Sequence, residues 1–167
     1  MKSPISLTKL IAGLLLAALS TSSMAVDLST NRTNPNVYSD GITRYLPLDN
    51  AGNTFKWVFL SNLSTRAILY NAECAVKAND NNTWYNIDIE ILSPNGVATK
   101  VSPTDNDNAL CTSKGNNALA NWSSNASQGT YKPVQAGWHR IRVSGNLVGY
   151  SAGDQVRIDD ISLIVTD

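Results

Sequence analysis

Gln155-Val156-Arg157-Ile158-Asp159-Asp160-Ile161-Ser162-Leu163-Ile164-Val165 reads as a β-strand with a fault in its pattern. Val156 and Ile158 fall on one parity, whereas Ile161, Leu163 and Val165 fall on the other. Successive side chains of a strand point to opposite faces, so one buried face cannot take both sets without an extra residue between them. The adjacent carboxylates Asp159 and Asp160 mark where that residue sits, and they predict a bulge or bend. A strand so apolar along its length is expected to be central, with the rest of the chain packed against it.

Working outward, the same alternation recurs. Residues 66–78 place Ile68, Tyr70, Ala72, Cys74 and Val76 on one side and Asn71, Glu73 and Lys77 on the other. Residues 84–92 set Ile87, Ile89 and Ile91 against Asn86, Asp88 and Glu90, and residues 138–143 set His139, Ile141 and Val143 against Trp138, Arg140 and Arg142. Each is a half-buried strand. Phe55, Trp57 and Phe59 alternate with Lys56, Val58 and Leu60, a strand with apolar residues on both faces. Asn79-Asp80-Asn81-Asn82 is turn chemistry. Pro94-Asn95-Gly96 is a hairpin turn into residues 97–101, and Gly145-Asn146 marks the end of the 138–143 strand, with residues 147–150 pairing onward. Residues 26–53 read as an irregular lead-in with one short edge strand at 42–48. Residues 102–130 lose hydrophobic period and read as a long loop. Seven or eight strands with turn signals between them and no alternating helices predict an all-β protein, an antiparallel β-sandwich of jelly-roll topology.

Residues 1–25 carry Lys2 and Lys9, an apolar run from Leu10 to Leu19 and small residues up to Ala25, the pattern of a secretory signal peptide cleaved after Ala25. The run is shorter than the roughly 20 apolar residues of a membrane-spanning helix, so no membrane insertion is expected. The mature chain, residues 26–167, is expected to be a single domain in the periplasm or outside the cell. Loss of two lysines from thirteen basic residues leaves eleven against thirteen acidic ones, with no basic stripe for nucleic acid. Cys74 and Cys111 are the only cysteines, and in an oxidising compartment an isolated pair predicts one disulfide.

The ending Val156-Arg157-Ile158-Asp159-Asp160-Ile161-Ser162-Leu163 resembles the last strand of jelly-roll modules of the galactose-binding-like class, which includes many carbohydrate-binding modules. The longer pattern of Tyr70-Asn71-Ala72-Glu73-Cys74, Asp88-Ile89-Glu90, Asn108-Ala109-Leu110-Cys111-Thr112 and the Asp159-Asp160 strand is similar to a group of secreted bacterial β-sandwich proteins, a likeness that implies no activity. In the binding modules the late aspartate helps hold a structural calcium, so the resemblance makes Asp159 and Asp160 candidate calcium ligands. The Asn-Gly-x-Phe-Glu type sequence that supplies the N-terminal ligands there is missing from this chain.

Calcium takes six to eight oxygens; Asp105, Asp107 and Asp80 are further sources, and acidic turns of this kind are also ordinary β-turn chemistry. Asp88 and Glu90 stand two apart on one strand face, close enough for a glycosidase pair. The competing and stronger reading pairs them across strands with Arg140 and Arg142, which share that spacing. His139, the only histidine, shares the parity of Ile141 and Val143 and reads as structural. No Gly-x-Ser-x-Gly elbow and no phosphate-binding glycine loop occurs. Trp84, Trp122 and Trp138, with Tyr85, Tyr131 and Tyr150, offer rings on which sugar C–H faces stack, although one or two of the four tryptophans are expected in the core. The expected ligand-binding set is Trp84, Asp88, Glu90, Trp122, Trp138, Arg140 and Arg142. The function so implied is a non-catalytic module binding carbohydrate or another surface ligand. The alternatives are a structural or adhesive protein that self-associates through strand edges, and more remotely a glycan hydrolase.

Overall fold

The computed structural model of the chain describes residues 25–101, 108–115 and 117–167. The expected signal segment, apart from Ala25, and the candidate calcium sources Asp105 and Asp107 lie outside the described residues. Among the described residues eleven strands are formed: β1 (Val26–Arg32), β2 (Asn36–Tyr38), β3 (Arg44–Tyr45), β4 (Lys56–Leu60), β5 (Arg66–Lys77), β6 (Trp84–Leu92), β7 (Ala98–Lys100), β8 (Ala109–Thr112), β9 (Ser123–Tyr131), β10 (Gly137–Val148) and β11 (Gln155–Thr166). Every pairing is antiparallel.

The eleven segments fill eight ladder positions, because three positions are split in two. β1 and β2 both pair with β11, β3 and β4 both pair with β10, and β7 and β8 both pair with β6. With each split strand counted once, one sheet runs first-eighth-third-sixth and the other second-seventh-fourth-fifth. That order is two interlocked Greek keys, the jelly roll. We call the sheet containing β11 sheet A and the sheet containing β10 sheet B.

The core lies between the two inner faces. β5 supplies Ile68, Tyr70, Ala72 and Val76; β6 supplies Tyr85, Ile87, Ile89 and Ile91; β10 and β11 supply Ile141, Val143, Ile158 and Leu163, all buried. β11 is internal to sheet A, and its parity switch is a bulge. Asp159 pairs with Glu73 and Ser162 with Asn71, so Asp160 and Ile161 together oppose Ala72. Asp160 takes the left-handed conformation, φ 43°, which lets Val156 and Ile158 and then Ile161, Leu163 and Val165 all reach the core. Cys74 of β5 and Cys111 of β8 form a disulfide, Cα atoms 6.3 Å apart, that joins sheet A to sheet B across the core. Closing a 37-residue separation stabilises the fold by about 4 kcal/mol in the chain-entropy account.

Several elements differ from the sequence reading. The lead-in at 26–53 is not irregular: it contains β1, β2 and β3. Its period is hidden because only Leu28 of the inward positions of β1 is apolar, while Thr30 and Arg32 are polar and are satisfied individually. Thr30 Oγ1 donates to the Leu48 carbonyl at 3.1 Å and Arg32 Nη1 to the Asp49 carbonyl at 2.7 Å. Residues 102–130 are not one loop, since they contain β8 and all but the last residue of the nine-residue β9. The inward side of β9 is Ser123, Asn125, Ser127, Gly129 and Tyr131, with Tyr131 its one large apolar side chain. Gly145 does not end a strand; β10 runs through it for twelve residues. The glycine is there because the Tyr85 ring lies on it: a Cβ would meet Tyr85 Oη at 2.4 Å and Cζ at 2.6 Å. The hairpin at Ser93-Pro94-Asn95-Gly96 forms as expected, with Gly96 at φ 83° and its N–H donating to the Ser93 carbonyl at 2.8 Å.

At one end of the sandwich Arg66, 1% exposed, gathers both chain-end strands. Its Nε donates to Asp27 Oδ2, its Nη1 to Asp167 Oδ1 at 3.0 Å and to the Ser64 carbonyl at 2.8 Å, and its Nη2 to Asn62 Oδ1 at 3.1 Å.

Candidate functional site

Strand parity decides what sheet B shows to solvent. In β4 the aliphatic Val58 and Leu60 face the core, which turns Trp57 and Phe59 outward. In β10 the buried His139, Ile141 and Val143 likewise turn Trp138, Arg140 and Arg142 outward. The register then assembles them: Trp138 lies opposite Phe59, and Arg140 lies between Trp57 of β4 and Leu92 of β6. Lys56 pairs with Asp49, whose carboxyl is held well below the usual carboxylate range by hydrogen bonds from Asn53 and Lys56. This anchors the start of β4 beneath Phe55 and Trp57.

The result is an aromatic surface. Phe55, Trp57, Phe59 and Trp138 are 38%, 53%, 51% and 57% exposed, far more than large rings retain in a core. Phe59 and Trp138 meet edge-on with centroids 5.3 Å apart, as do Phe55 and Trp57 at 6.1 Å. The Arg140 guanidinium lies 5.4 Å from the Phe55 centroid and 6.0 Å from that of Trp57, and Arg142 lies 4.3 Å from that of Tyr45.

Charged groups border the rings. Arg142 and Glu90 are direct cross-strand partners and form an ion pair. Asp88 faces Ser144 rather than Arg140 in the register; its carboxylate takes Lys100 Nζ at 2.9 Å and Asn108 Nδ2 at 3.1 Å. Of the expected cross-strand pairing of Asp88 and Glu90 with Arg140 and Arg142, the register gives Glu90 with Arg142, whereas Arg140 lies opposite Leu92, four residues along β10 from the Ser144 that faces Asp88. Both carboxylates of the would-be glycosidase pair are engaged by cations.

The remaining sequence candidates are dispersed. Trp84 is on the same outer face but pairs with Val148, ten residues along β10 from Trp138 and thus roughly 30 Å away. Trp122 belongs to the opposite side of the sandwich, its ring 4.8 Å from the guanidinium of Arg157 on the outer face of sheet A. None of the four tryptophans is buried, contrary to expectation; the core rings are Tyr70, Tyr85 and Tyr131. Tyr85 and Tyr131 are consequently withdrawn from any surface role, while Tyr150 remains partly exposed. His139 is buried, its Nδ1 3.0 Å from the Gly137 carbonyl and its ring edge-on to Tyr131. At the bulge, Asp159 Oδ1 accepts the Asp160 N–H at 3.0 Å and Oδ2 lies 3.4 Å from Arg157 Nη2. Asp80 is occupied with its own turn, accepting from Asn82 N and Thr83 Oγ1. Among the described residues no three acidic, histidine or cysteine side chains come together as a metal site.

The sequence reading missed Phe55, Trp57, Phe59 and Tyr45 as surface residues. The available signal was that Val58 and Leu60 alone suffice to fill the inner face of β4, which frees the bulkier parity.

No family model matches the chain, and no curated protein matches it in sequence. Among solved structures it is similar to infectious bursal disease virus particle proteins. One is a chain of the derived T=1 particles, with a TM-score of 0.53 and 12% identity over 87% of this chain and 32% of that one. Another is the Gx strain, with a TM-score of 0.50 and 13% identity over the same shares. The chain thus spans about a third of the length of those viral chains. The CBM22-1 xylan-binding domain from Paenibacillus barcinonensis Xyn10C aligns with a TM-score of 0.40 and 11% identity over 89% of this chain and 99% of that one. At such identities the likeness to the viral chains is one of fold, in keeping with the two-sheet antiparallel jelly roll that the strand order gives.

Proposed function

We propose that the protein is an exported, non-catalytic binding module that holds a carbohydrate against the outer face of sheet B. The observation that supports this is the group of exposed rings at Phe55, Trp57, Phe59 and Trp138, fixed side by side by the β4–β10 register and bordered by arginines. Pyranose rings present C–H faces that stack on such rings, while their hydroxyls take hydrogen bonds from charged and amide side chains. A rigid sheet holds the rings in place before the ligand arrives, which limits the entropy lost on binding. The disulfide is consistent with an oxidising compartment.

A second reading has its own observation. β4 is an edge position of sheet B, so the same rings could serve edge-to-edge self-association. A glycan array probed with the exported full-chain protein separates the two. Carbohydrate binding predicts specific hits that Trp57→Ala and Trp138→Ala weaken at least tenfold with folding intact. A blank array together with concentration-dependent oligomers dissolved by the same substitutions would replace the first reading with the second.

A further inference from the structure

Within the carbohydrate-binding reading, on which this inference rests, the charges on the face point to the class of glycan. Arg142 is matched by Glu90 and Lys100 by Asp88. Arg140 is different: among the described residues no carboxylate pairs with it, and its neighbours are the rings of Phe55 and Trp57 and, across the β6 ladder, Leu92. A guanidinium flanked by rings is partly removed from water, and it keeps N–H donors whose fork matches a carboxylate. Among the described residues the face therefore carries one uncompensated cation, in the middle of the surface where a sugar would stack.

We infer that the ligand is an acidic glycan, one whose sugar rings carry carboxylates, and that Arg140 is the residue that selects it. Sugar faces stack on Trp57 and Trp138 while a uronate carboxylate replaces water on the Arg140 fork. Neutral glycans can use the rings but leave the cation unmatched.

The test is calorimetric titration of the exported full-chain protein with polygalacturonate oligosaccharides, a neutral xylo-oligosaccharide series and a sulfated dextran, for wild type, Arg140→Gln, Arg140→Lys and Trp138→Ala. The expected result is tightest binding to the carboxylated series. Arg140→Gln should weaken that series at least tenfold and the neutral series far less, and Arg140→Lys should give an intermediate loss. Trp138→Ala should weaken every glycan that binds. Equal affinity for neutral and carboxylated glycans, or an Arg140→Gln variant that binds the carboxylated series like wild type, overturns the inference while leaving the carbohydrate reading in place. Preference for the sulfated dextran overturns the carboxylate assignment. Absence of binding to all three by protein of native melting temperature overturns the inference and the reading beneath it together.

Discussion

Replacing Arg66 by Met tests how the sandwich is held at its chain ends. The substitution keeps an apolar stem of similar length and removes the guanidinium, so the loss is that of the polar network. Two carboxylates lose their cation. Asp167 has a side chain 39% exposed; it rehydrates, and its share is at most about 1 kcal/mol. Asp27 is only 17% exposed, and stripping the partner from a largely buried ion costs about 3–5 kcal/mol. The Ser64 carbonyl and the Asn62 side chain also lose a donor each. A total of about 3–5 kcal/mol is expected, a drop of about 10–15 °C in melting temperature for a domain of this size. Urea denaturation of the oxidised protein, followed by tryptophan fluorescence, reads it directly. The double variant Arg66→Met/Asp27→Asn should recover about 2 kcal/mol relative to the sum of the single losses, because the stranded charge is then gone. A loss below about 1 kcal/mol for Arg66→Met, or strict additivity in the cycle, would refute the claim that Arg66 fastens β1 and β11 through Asp27.

Gly145→Ala should cost about 2–3 kcal/mol in the same assay, since the new methyl group collides with a Tyr85 ring that is itself buried and stacked on Tyr38; an unchanged midpoint would show that the ring moves freely. Asp160→Gly should be neutral or stabilising by up to about 1 kcal/mol because it relieves a left-handed non-glycine residue, whereas Asp160→Val should destabilise by more than about 1 kcal/mol, and equal midpoints for the two would argue against the bulge. Burial raises the phenol pKa of Tyr70 and of Tyr85 far above the ordinary value near 10. Their contribution is therefore intact below about pH 10 and is lost as the unfolded chain ionises above it. Tyr70→Phe and Tyr85→Phe should flatten the fall in stability between about pH 10 and 11.5, and a fall as steep as wild type would contradict the burial.

What could be read from the sequence follows the chemistry of the inward positions. Where these are aliphatic, as with Ile87, Ile89 and Ile91 of β6, parity alone gave the strand and its orientation, and the misfit at Asp159-Asp160 gave the bulge. β9 and β1 were illegible because Ser, Asn, Gly, Thr and Arg occupy positions that point inward, satisfied by specific hydrogen bonds or by close approach rather than by apolar burial. The aromatic face needed the third dimension. Trp57 and Phe59 are more hydrophobic than Val58 and Leu60, and only the register of β4 on β10 shows which pair the core accepts. Gly145 misled because a glycine needed for ring packing and a glycine needed for a turn look the same in one dimension.

The order of strands in sheet A bears on when this chain can fold. Its neighbours are β1 with β11, β11 with β5 and β5 with β9, and no two of these are consecutive in the chain. Val26 finds its partner only at Thr166. β1 and β2 therefore wait unpaired until β11, the strand they share with β5, has been made, and β5 can pair earlier only with β9. Long-range pairing of this kind closes slowly, over milliseconds to seconds. A sheet whose internal strand is made after all of that strand's neighbours cannot close piecemeal, so β1 and β2 stay available to wrong partners until β11 arrives.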